Sequence, residues 1–268
     1  MTEQAVAVAQ FAPGPDPEAN LEAITLLAEK AVARGASLVV FPEYSSYFTP
    51  EMGQDWVDAA QDIDGLFATG LADLSARLGI HIVAGIVERT GDPHRVSNTH
   101  LAFGKGELVA SYRKIHLYDA FGQKESDWVT AGPLDAPQTF AWGGFTVGIQ
   151  ACYDIRFPEM TRRLVDAGAD LVLVPSEWVR GPLKEGHWRT LVTARALENT
   201  IYVAAADQAP PVGAGNSMVV DPMGVELVTV GESSDVAVAW ISPERVAATR
   251  IVNPALALRR FGISELST

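Results

Sequence analysis

The chain has 268 residues, of which 48% are hydrophobic and 20% are charged, and its formal net charge is −13. This length and composition are typical of a globular protein with a sizeable core, and they exclude a disordered chain. The negative charge argues against a nucleic-acid partner, because phosphate binding requires a basic surface. The single cysteine excludes an internal disulfide framework and a cysteine-rich metal site.

The first residues carry no basic leader with an apolar core, and no apolar run approaches the ~20 residues that a bilayer crossing requires. No linker, low-complexity tract or motif-length repeat divides the chain. We therefore expect a cytoplasmic protein in which residues 1–268 form a single domain, with no membrane partner.

The beginning of the chain alternates predicted strands with a predicted helix. Residues 5–11 are a short apolar run, and Asp16 and Pro17 then supply an N-cap and a first helical residue. The helical periodicity stops at Gly35, and residues 37–41 predict a buried strand. This order is typical of a right-handed crossover in a sheet that helices cover.

The rest of the chain continues this alternation, with one hairpin in the first half and a meander of three strands near the end. The predicted strands are 80–88, 98–103, 108–112, 145–151, 170–175, 200–207, 217–221, 225–230 and 236–241, and the predicted helices are 63–78, 158–167, 183–199 and a short one after Pro243. Such an order suits two sheets in one layered α/β domain.

Three reactive side chains stand at the ends of predicted strands: Glu43, Lys114 and Cys152. In α/β folds, ligands bind at the carboxyl ends of strands. Taken singly, each residue also has an ordinary explanation. A lone cysteine is often a small buried residue, and most glutamates and lysines are solvated at the surface.

Together the three residue types complement one another chemically. A thiolate attacks a carbonyl or nitrile carbon, but a free thiol is only slightly ionised at neutral pH, so a base must take its proton. A carboxylate shielded from water has the raised pKa that suits this work. An ammonium and a backbone N–H can then stabilise the oxyanion of the tetrahedral intermediate.

The sequence resembles the nitrilase, or carbon–nitrogen hydrolase, superfamily over nearly its whole length. Segments 41–43, 112–117 and 148–159 are similar to the family's glutamate, lysine and cysteine motifs. The resemblance implies Glu43 as general base, Lys114 as oxyanion stabiliser, Cys152 as nucleophile and Glu125 as the second glutamate that positions the lysine and the substrate.

The same resemblance implies an α/β fold of the four-layer α-β-β-α sandwich type, in which two mixed sheets pack face to face with helices outside. Two subunits commonly pair in this family, so a homodimer or higher homo-oligomer is expected. No metal and no organic cofactor is implied.

Within the superfamily, residues 152–159 and 195–199 are most similar to the omega-amidase and deaminated-glutathione-amidase branch. This similarity implies hydrolysis of a small amide, often one that bears a carboxylate, through a cysteine thioester with release of ammonia or an amine. Nitrilases share the triad, so a small nitrile stays open as the substrate. The chain is shorter than typical nitrilases, which favours an amidase.

Three residues are expected to contact the substrate: Tyr153, Arg156 and Trp178. A carboxylate-bearing amide requires a cation near the thiol, and Arg156 is the nearest in sequence. A structural ion pair of Arg156 with Asp154 or Glu159 is an equal alternative. Trp178 follows a predicted strand and could line the pocket, or it could be a core or dimer contact.

Two competing functions use the same residues differently. A Cys–His hydrolase such as a glutamine amidotransferase would take His116 or His187 as its base. A binding protein without activity would simply bury Cys152 in its core.

Overall fold

The computed structural model describes residues 3–265, and the strands in this part of the chain form two six-stranded sheets. The strands are, in chain order, β1 (Gln4–Gln10), β2 (Leu38–Val40), β3 (His81–Arg89), β4 (Val96–Gly104), β5 (Glu107–Arg113), β6 (Thr139–Trp142), β7 (Phe145–Ile149), β8 (Leu171–Ser176), β9 (Tyr202–Asp207), β10 (Met218–Val220), β11 (Glu226–Thr229) and β12 (Asp235–Ile241).

The first sheet has the strand order β12-β1-β2-β3-β4-β5, and the second has the order β11-β10-β9-β8-β7-β6. Strands β1, β2 and β3 are parallel, as are β7, β8 and β9, whereas the outer pairs of both sheets are antiparallel. Parallel neighbours require crossover connections, and helices supply most of them.

The first helix begins where the local sequence predicts. Asp16 caps the first helix by accepting hydrogen bonds from the N–H groups of Glu18 and Ala19, and Pro17 occupies its first position. Among the described residues, no helix combines the length and hydropathy of a bilayer crossing. The helices are α1 (Pro17–Ala33), α2 (Gln54–Ala59), α3 (Leu66–Leu78), α4 (Pro158–Asp166), α5 (Lys184–Asn199) and α6 (Pro243–Val252).

Alternation along the strands sorts the apolar side chains into layers. On β1, Val6 and Val8 pack in the core between the two sheets, whereas Ala7 and Ala9 pack in a second core with Ile24 of α1. Successive side chains of a strand point to opposite faces, so both faces of β1 are buried.

The second sheet is covered in the same way. Val172 of β8 and Val203 of β9 pack in a third core with Trp188 and Val192 of α5. The layers are therefore helix, sheet, sheet and helix, which confirms the expected α-β-β-α sandwich.

The predicted three-stranded meander is wrong in its last strand. β10 and β11 do pair in the second sheet, but β12 pairs antiparallel with β1 in the first sheet. Ala239 and Ile241 of β12 enter the core between the sheets, while Val236 joins the core beneath α1. Pairing with β1 therefore gives β12 core contacts on both faces, which local alternation does not predict.

Two short elements, α2 and β6, lacked a sequence signal, and the helix expected over 63–78 begins only at Leu66. An element of four to six residues is too short to display a period.

Buried His100 on β4 makes folding sensitive to acid. Its side chain is fully buried, and neither ring nitrogen has a hydrogen-bond partner among the described residues. Burial, followed by the charge of Lys114, lowers the pKa of His100 to about 3. The unfolded state, with a histidine pKa of about 6.5, binds a proton more readily, so stability falls by up to ~1.4 kcal/mol per pH unit as the pH drops below 6.5.

We therefore expect the free energy of unfolding to fall less steeply in a His100→Gln variant than in the wild type between about pH 6 and about pH 4. Urea titrations followed by circular dichroism measure both slopes. The exposed His94 offers the control variant His94→Gln. Equal slopes for His100→Gln and the wild type would contradict the assignment.

Candidate active site

The three predicted reactive residues lie at one edge of the two sheets. Glu43 follows β2, Lys114 directly follows β5, and Cys152 follows β7. β2 and β5 run in the same direction, because β3 is parallel to β2 and β4 is antiparallel to both β3 and β5. The carboxyl ends of strands from both sheets thus carry the reactive side chains.

Lys114 joins two carboxylates at the centre of this edge. Its Nζ lies 2.9 Å from Glu43 Oε1 and 2.8 Å from Glu125 Oε2, and all three side chains are buried. Burial alone favours the neutral amine, but the charges of Glu125 and Glu43 raise the pKa of Lys114 well above its ordinary value. The side chain is therefore an ammonium.

Both carboxylate oxygens of Glu43 accept hydrogen bonds. Oε1 accepts from Lys114 and, at 2.6 Å, from Asn98 Nδ2, while Oε2 accepts from the backbone N–H of Glu177 at 2.7 Å. Burial raises the pKa of Glu43 above its ordinary value, although the Lys114 charge opposes that rise. Such a carboxylate is suited to take a proton at neutral pH.

Glu125 contacts the same lysine from a single turn of 3-10 helix, Glu125–Asp127. The hydroxyl of Tyr44 donates to Glu125 Oε1 at 2.5 Å, and Asn98 Nδ2 donates to the same oxygen at 3.2 Å. The predicted second glutamate therefore holds the predicted lysine in place.

Cys152 is the first residue of a 3-10 helix, Cys152–Arg156, just beyond β7. Its φ is +42°, in the left-handed region that non-glycine residues seldom adopt and that is common at active sites. Its Sγ lies 3.4 Å from the backbone oxygen of Glu177. Burial, followed by the negative charge of Glu43, raises the pKa of Cys152 well above its ordinary value, so the resting form is the thiol.

Asp154 ties the cysteine loop to the segment around Lys114. Its Oδ2 accepts hydrogen bonds from Tyr112 Oη at 2.6 Å and from the Ala151 N–H at 2.9 Å. Its Oδ1 accepts from the His116 N–H at 3.0 Å. Tyr112 and His116 lie two residues before and after Lys114, and Ala151 directly precedes Cys152. Asp154 therefore fixes the thiol relative to the ammonium.

Gly85 inside β3 allows the Glu43 segment to come close. A Cβ at this position would lie 2.6 Å from the backbone nitrogen of Tyr44 and 2.9 Å from Glu43 Cα. Only glycine permits such an approach of two backbones. The placement of the acid thus depends on a residue 42 positions further along the chain.

The reactive groups line a cavity of about 300 Å³ whose wall combines charged and aromatic side chains. The lining residues are Glu43, Tyr44, Phe48, Thr49, Pro50, Glu51, Met52, Trp56, Lys114, Tyr118, Gln123, Lys124, Glu125, Asp127, Trp128, Cys152, Tyr153, Glu177, Trp178, Val179, Lys184 and Val212.

Of the three residues expected to contact the substrate, Tyr153 and Trp178 line the cavity and Arg156 does not. The Arg156 guanidinium lies 4.7 Å from the centroid of the Trp178 ring, so it contacts the wall of the cavity. Within residues 3–265 it makes no ion pair with Asp154 or Glu159, so the alternative structural pairing is wrong.

Sequence reasoning missed three polar residues of the site: Asn98, Glu177 and Lys184. Glu177 directly follows β8, the same kind of position that marked Glu43, so its signal was available. Asn98 lies within β4 and Lys184 begins α5, and neither position carries a sequence pattern. Only the fold brings Asn98 to Glu43 and Lys184 to the cavity.

Lys184 is a cation surrounded by aromatic rings. It is 6% exposed, its Nζ donates a hydrogen bond to Tyr118 Oη at 2.9 Å, and Nζ lies 4.6–4.9 Å from the ring centroids of Tyr118, Phe121 and Trp178. Aromatic faces attract cations electrostatically. Burial nevertheless lowers the pKa of Lys184, because no carboxylate pairs with it in the described chain.

No described histidine lines the cavity. His116 Nδ1 lies 2.8 Å from Asp154 Oδ1, and its ring stacks on Phe157 at 3.8 Å, while His187 lies beside Arg156. The geometry therefore does not support a Cys–His pair. Within residues 3–265, no group of three or more His, Cys, Asp and Glu side chains is arranged to hold a metal ion.

Comparison with known proteins agrees with this geometry. Residues 5–251 match the family model described as carbon–nitrogen hydrolase. A deaminated glutathione amidase of Escherichia coli O157:H7 is 38% identical over 267 residues, which cover 97% of this chain and 99% of that protein. A protein of Mycobacterium tuberculosis named a hydrolase is 39% identical over 262 residues, or 91% of each chain.

A solved structure shows the same fold. A carbon–nitrogen hydrolase superfamily protein of Xanthomonas campestris, crystallised with an arsenic adduct in its active site, superposes with a TM-score of 0.85 at 29% identity. The match covers 98% of this chain and all of that one.

Proposed function

The chain belongs to the carbon–nitrogen hydrolase family and hydrolyses amides, and on that premise we propose that it cleaves small carboxylate-bearing amides through a thioester on Cys152. The observation that carries the proposal is the buried lysine that joins two glutamates beside the only thiol. A single hydrolase domain performs the reaction without metal or organic cofactor.

In the first step, the Cys152 sulfur attacks the amide carbon while its proton passes to Glu43. Burial and the nearby carboxylate keep the thiol protonated at rest, so the thiolate forms only as the proton leaves. The raised pKa of Glu43 makes it a stronger base than an exposed glutamate. The backbone of Glu177 links the thiol and the acid, because its oxygen accepts from the Cys152 thiol and its N–H donates to Glu43.

The attack converts the carbonyl oxygen into an oxyanion, and Lys114 stabilises this charge. Its ammonium is already oriented by Glu43 and Glu125, so no reorganisation is needed as the charge develops. The backbone N–H of Tyr153, directly after the nucleophile, is the second proposed donor. Glu43 then returns its proton to the nitrogen, and the C–N bond breaks to release ammonia or an amine.

Water completes the cycle. It attacks the thioester carbon, Glu43 takes its proton, and the C–S bond breaks to give the free acid and the thiol. The overall balance is one amide and one water converted to one carboxylic acid and one ammonia or amine.

Lys184 is the proposed receptor for the remote carboxylate of the substrate. It lines the cavity and has one hydrogen bond, to Tyr118, although an ammonium can donate three. A carboxylate would supply the missing counter-charge in a partly desolvated site. Arg156 does not line the cavity, but its guanidinium contacts the Trp178 ring and adds positive potential to the same wall.

Ammonia release from a matched amide and nitrile tests the reaction class. We expect hydrolysis of 4-carbamoylbutanoate and none of 4-cyanobutanoate, with slower hydrolysis of the neutral butanamide. Ammonia release from the nitrile alone would mean that the same triad hydrolyses nitriles. Equal rates on the charged and the neutral amide would contradict the role of Lys184 as carboxylate receptor.

We also propose a cytoplasmic homodimer or higher homo-oligomer. A catalytic thiol must stay reduced, which suits a reducing compartment. Apolar side chains near the end of the chain, namely Ile251, Val252, Leu258 and Phe261, are largely exposed and would be covered by a second subunit. Light scattering of the purified chain measures the assembly.

A further inference from the structure

The side chain of Glu177 lines the cavity but has no role in the reaction described above. Its backbone N–H binds Glu43 and its backbone oxygen contacts Cys152, so the residue is anchored beside the reacting atoms. Its carboxyl group has no hydrogen-bond partner in the described chain, and Oε1 is buried. A buried polar atom without a partner is destabilising, so its presence calls for a ligand.

Lys184 lines the same cavity with the opposite charge. The two side chains do not form an ion pair with each other, and neither forms an ion pair with any other side chain of residues 3–265. Both therefore have unused hydrogen-bonding capacity within one space of about 300 Å³.

The electrostatics of the cavity agree with two charged side chains that lack counter-charges. Burial and then the carboxylate of Glu43 raise the pKa of Glu177 well above its ordinary value. Burial lowers the pKa of Lys184, and the charge of Arg156 opposes its protonation too. A ligand with an ammonium and a carboxylate would stabilise the charged form of each residue.

We propose that Glu177 and Lys184 bind the two charges of an α-amino acid head group, so that the preferred substrates are ω-amides of amino acids. The substrate ammonium binds the Glu177 carboxylate, and the substrate carboxylate binds Lys184 beside Tyr118. The ω-amide then extends to Cys152. This inference rests on the proposed amide hydrolysis and adds the ammonium as a second recognition element.

The alternative occupant is an acid without an amino group. In that case Glu177 would stay neutral and donate a hydrogen bond to the substrate carboxylate. Two neighbouring carboxylates, Glu43 and Glu125, share the single ammonium of Lys114, so this end of the cavity carries a net negative charge. A cationic group on the ligand offsets that charge, whereas a further anion near Glu177 increases it, so the geometry favours the amino acid.

Four related amides, from which the ammonium and the carboxylate are removed in turn, separate the two charges. Glutamine carries both, 4-carbamoylbutanoate lacks the ammonium, 4-aminobutanamide lacks the carboxylate, and butanamide lacks both. The corresponding asparagine series covers a chain that is one carbon shorter. Ammonia release gives kcat/KM for each compound with the wild type and with the variants Glu177→Gln and Lys184→Met.

For the wild type, we expect the amino acid amide to be hydrolysed best in one of the two series, and loss of either charge to lower kcat/KM about ten- to a hundredfold. Glu177→Gln keeps the size of the side chain and both backbone contacts, so it should remove the preference for the ammonium and retain that for the carboxylate. Lys184→Met should show the reverse. These ratios between substrates would not move if either residue were merely structural.

The amino acid proposal would be overturned if the wild type preferred 4-carbamoylbutanoate to glutamine and 3-carbamoylpropanoate to asparagine, and if Glu177→Gln kept both preferences. The proposed amide hydrolysis would still stand. Failure of every amide in both series would count against the proposed function itself.

Discussion

Replacement of Cys152 by alanine is expected to abolish amide hydrolysis and to leave the fold intact. The cysteine supplies the atom that bonds to the acyl group, and it is the only thiol in the chain, so no neighbour can substitute for it. Loss of a covalent nucleophile lowers kcat by at least about a thousandfold. Ammonia release from the best amide, with both proteins at equal concentration, measures the ratio.

Two controls separate chemistry from folding. The thermal midpoint of Cys152→Ala should stay close to that of the wild type, because only one buried sulfur is removed. Alanine carries the same Cβ as cysteine, so the left-handed backbone at this position is no more strained in the variant. Iodoacetamide should modify the wild type at this position, and a bound amide should slow the modification. A variant that keeps more than about a tenth of the wild-type rate would refute the nucleophile assignment.

Lys114→Met should reduce both activity and stability. Loss of an oxyanion donor costs about a hundred- to a thousandfold in kcat. Loss of the ammonium also leaves the carboxylates of Glu43 and Glu125 buried without their shared counter-charge. Removal of one member of a buried ion pair typically lowers the free energy of unfolding by about 3–5 kcal/mol.

The pH dependence of that loss follows from the proton binding of Glu43. Burial raises the pKa of Glu43 and the Lys114 charge opposes that rise, so without Lys114 this carboxyl group binds a proton more readily in the folded state. The variant should therefore recover stability relative to the wild type as the pH falls. Urea unfolding at about pH 8 and about pH 5 should therefore show the larger deficit at the higher pH.

Lys30→Met is the matched control, because Lys30 pairs with Asp235 at the exposed surface. This change should cost less than about 1 kcal/mol and leave activity unaltered. If Lys114→Met were as stable and as active as Lys30→Met, the buried lysine would have neither proposed role.

The local sequence determined the main helices and strands and the candidate triad. Asp16 and Pro17 mark the start of α1 because capping is a contact between near neighbours. Glu43, Lys114 and Cys152 could be singled out because each follows a strand within its own segment. Their roles came from the family resemblance, and the structure brings all three to one cavity.

Other features depend on contacts between distant segments. The pairing of β12 with β1 joins the last strand of the described chain to the first, and no local period specifies such a pairing. Gly85 admits the Glu43 segment only because two strands lie side by side. Local periodicity records the burial of a segment, but it does not record which partner covers it.

The cavity wall shows the same division. Tyr153 and Trp178 were predicted to contact the substrate and line the cavity, whereas Arg156, the nearest cation in sequence, lies against Trp178 outside the lining. Lys184, which does line the cavity, is 32 residues beyond the cysteine and reaches the site at the start of α5. Sequence alone thus determined the type of chemistry. The tertiary structure decided which charged side chains face the substrate, because residues that are distant in the chain become neighbours only when the chain folds.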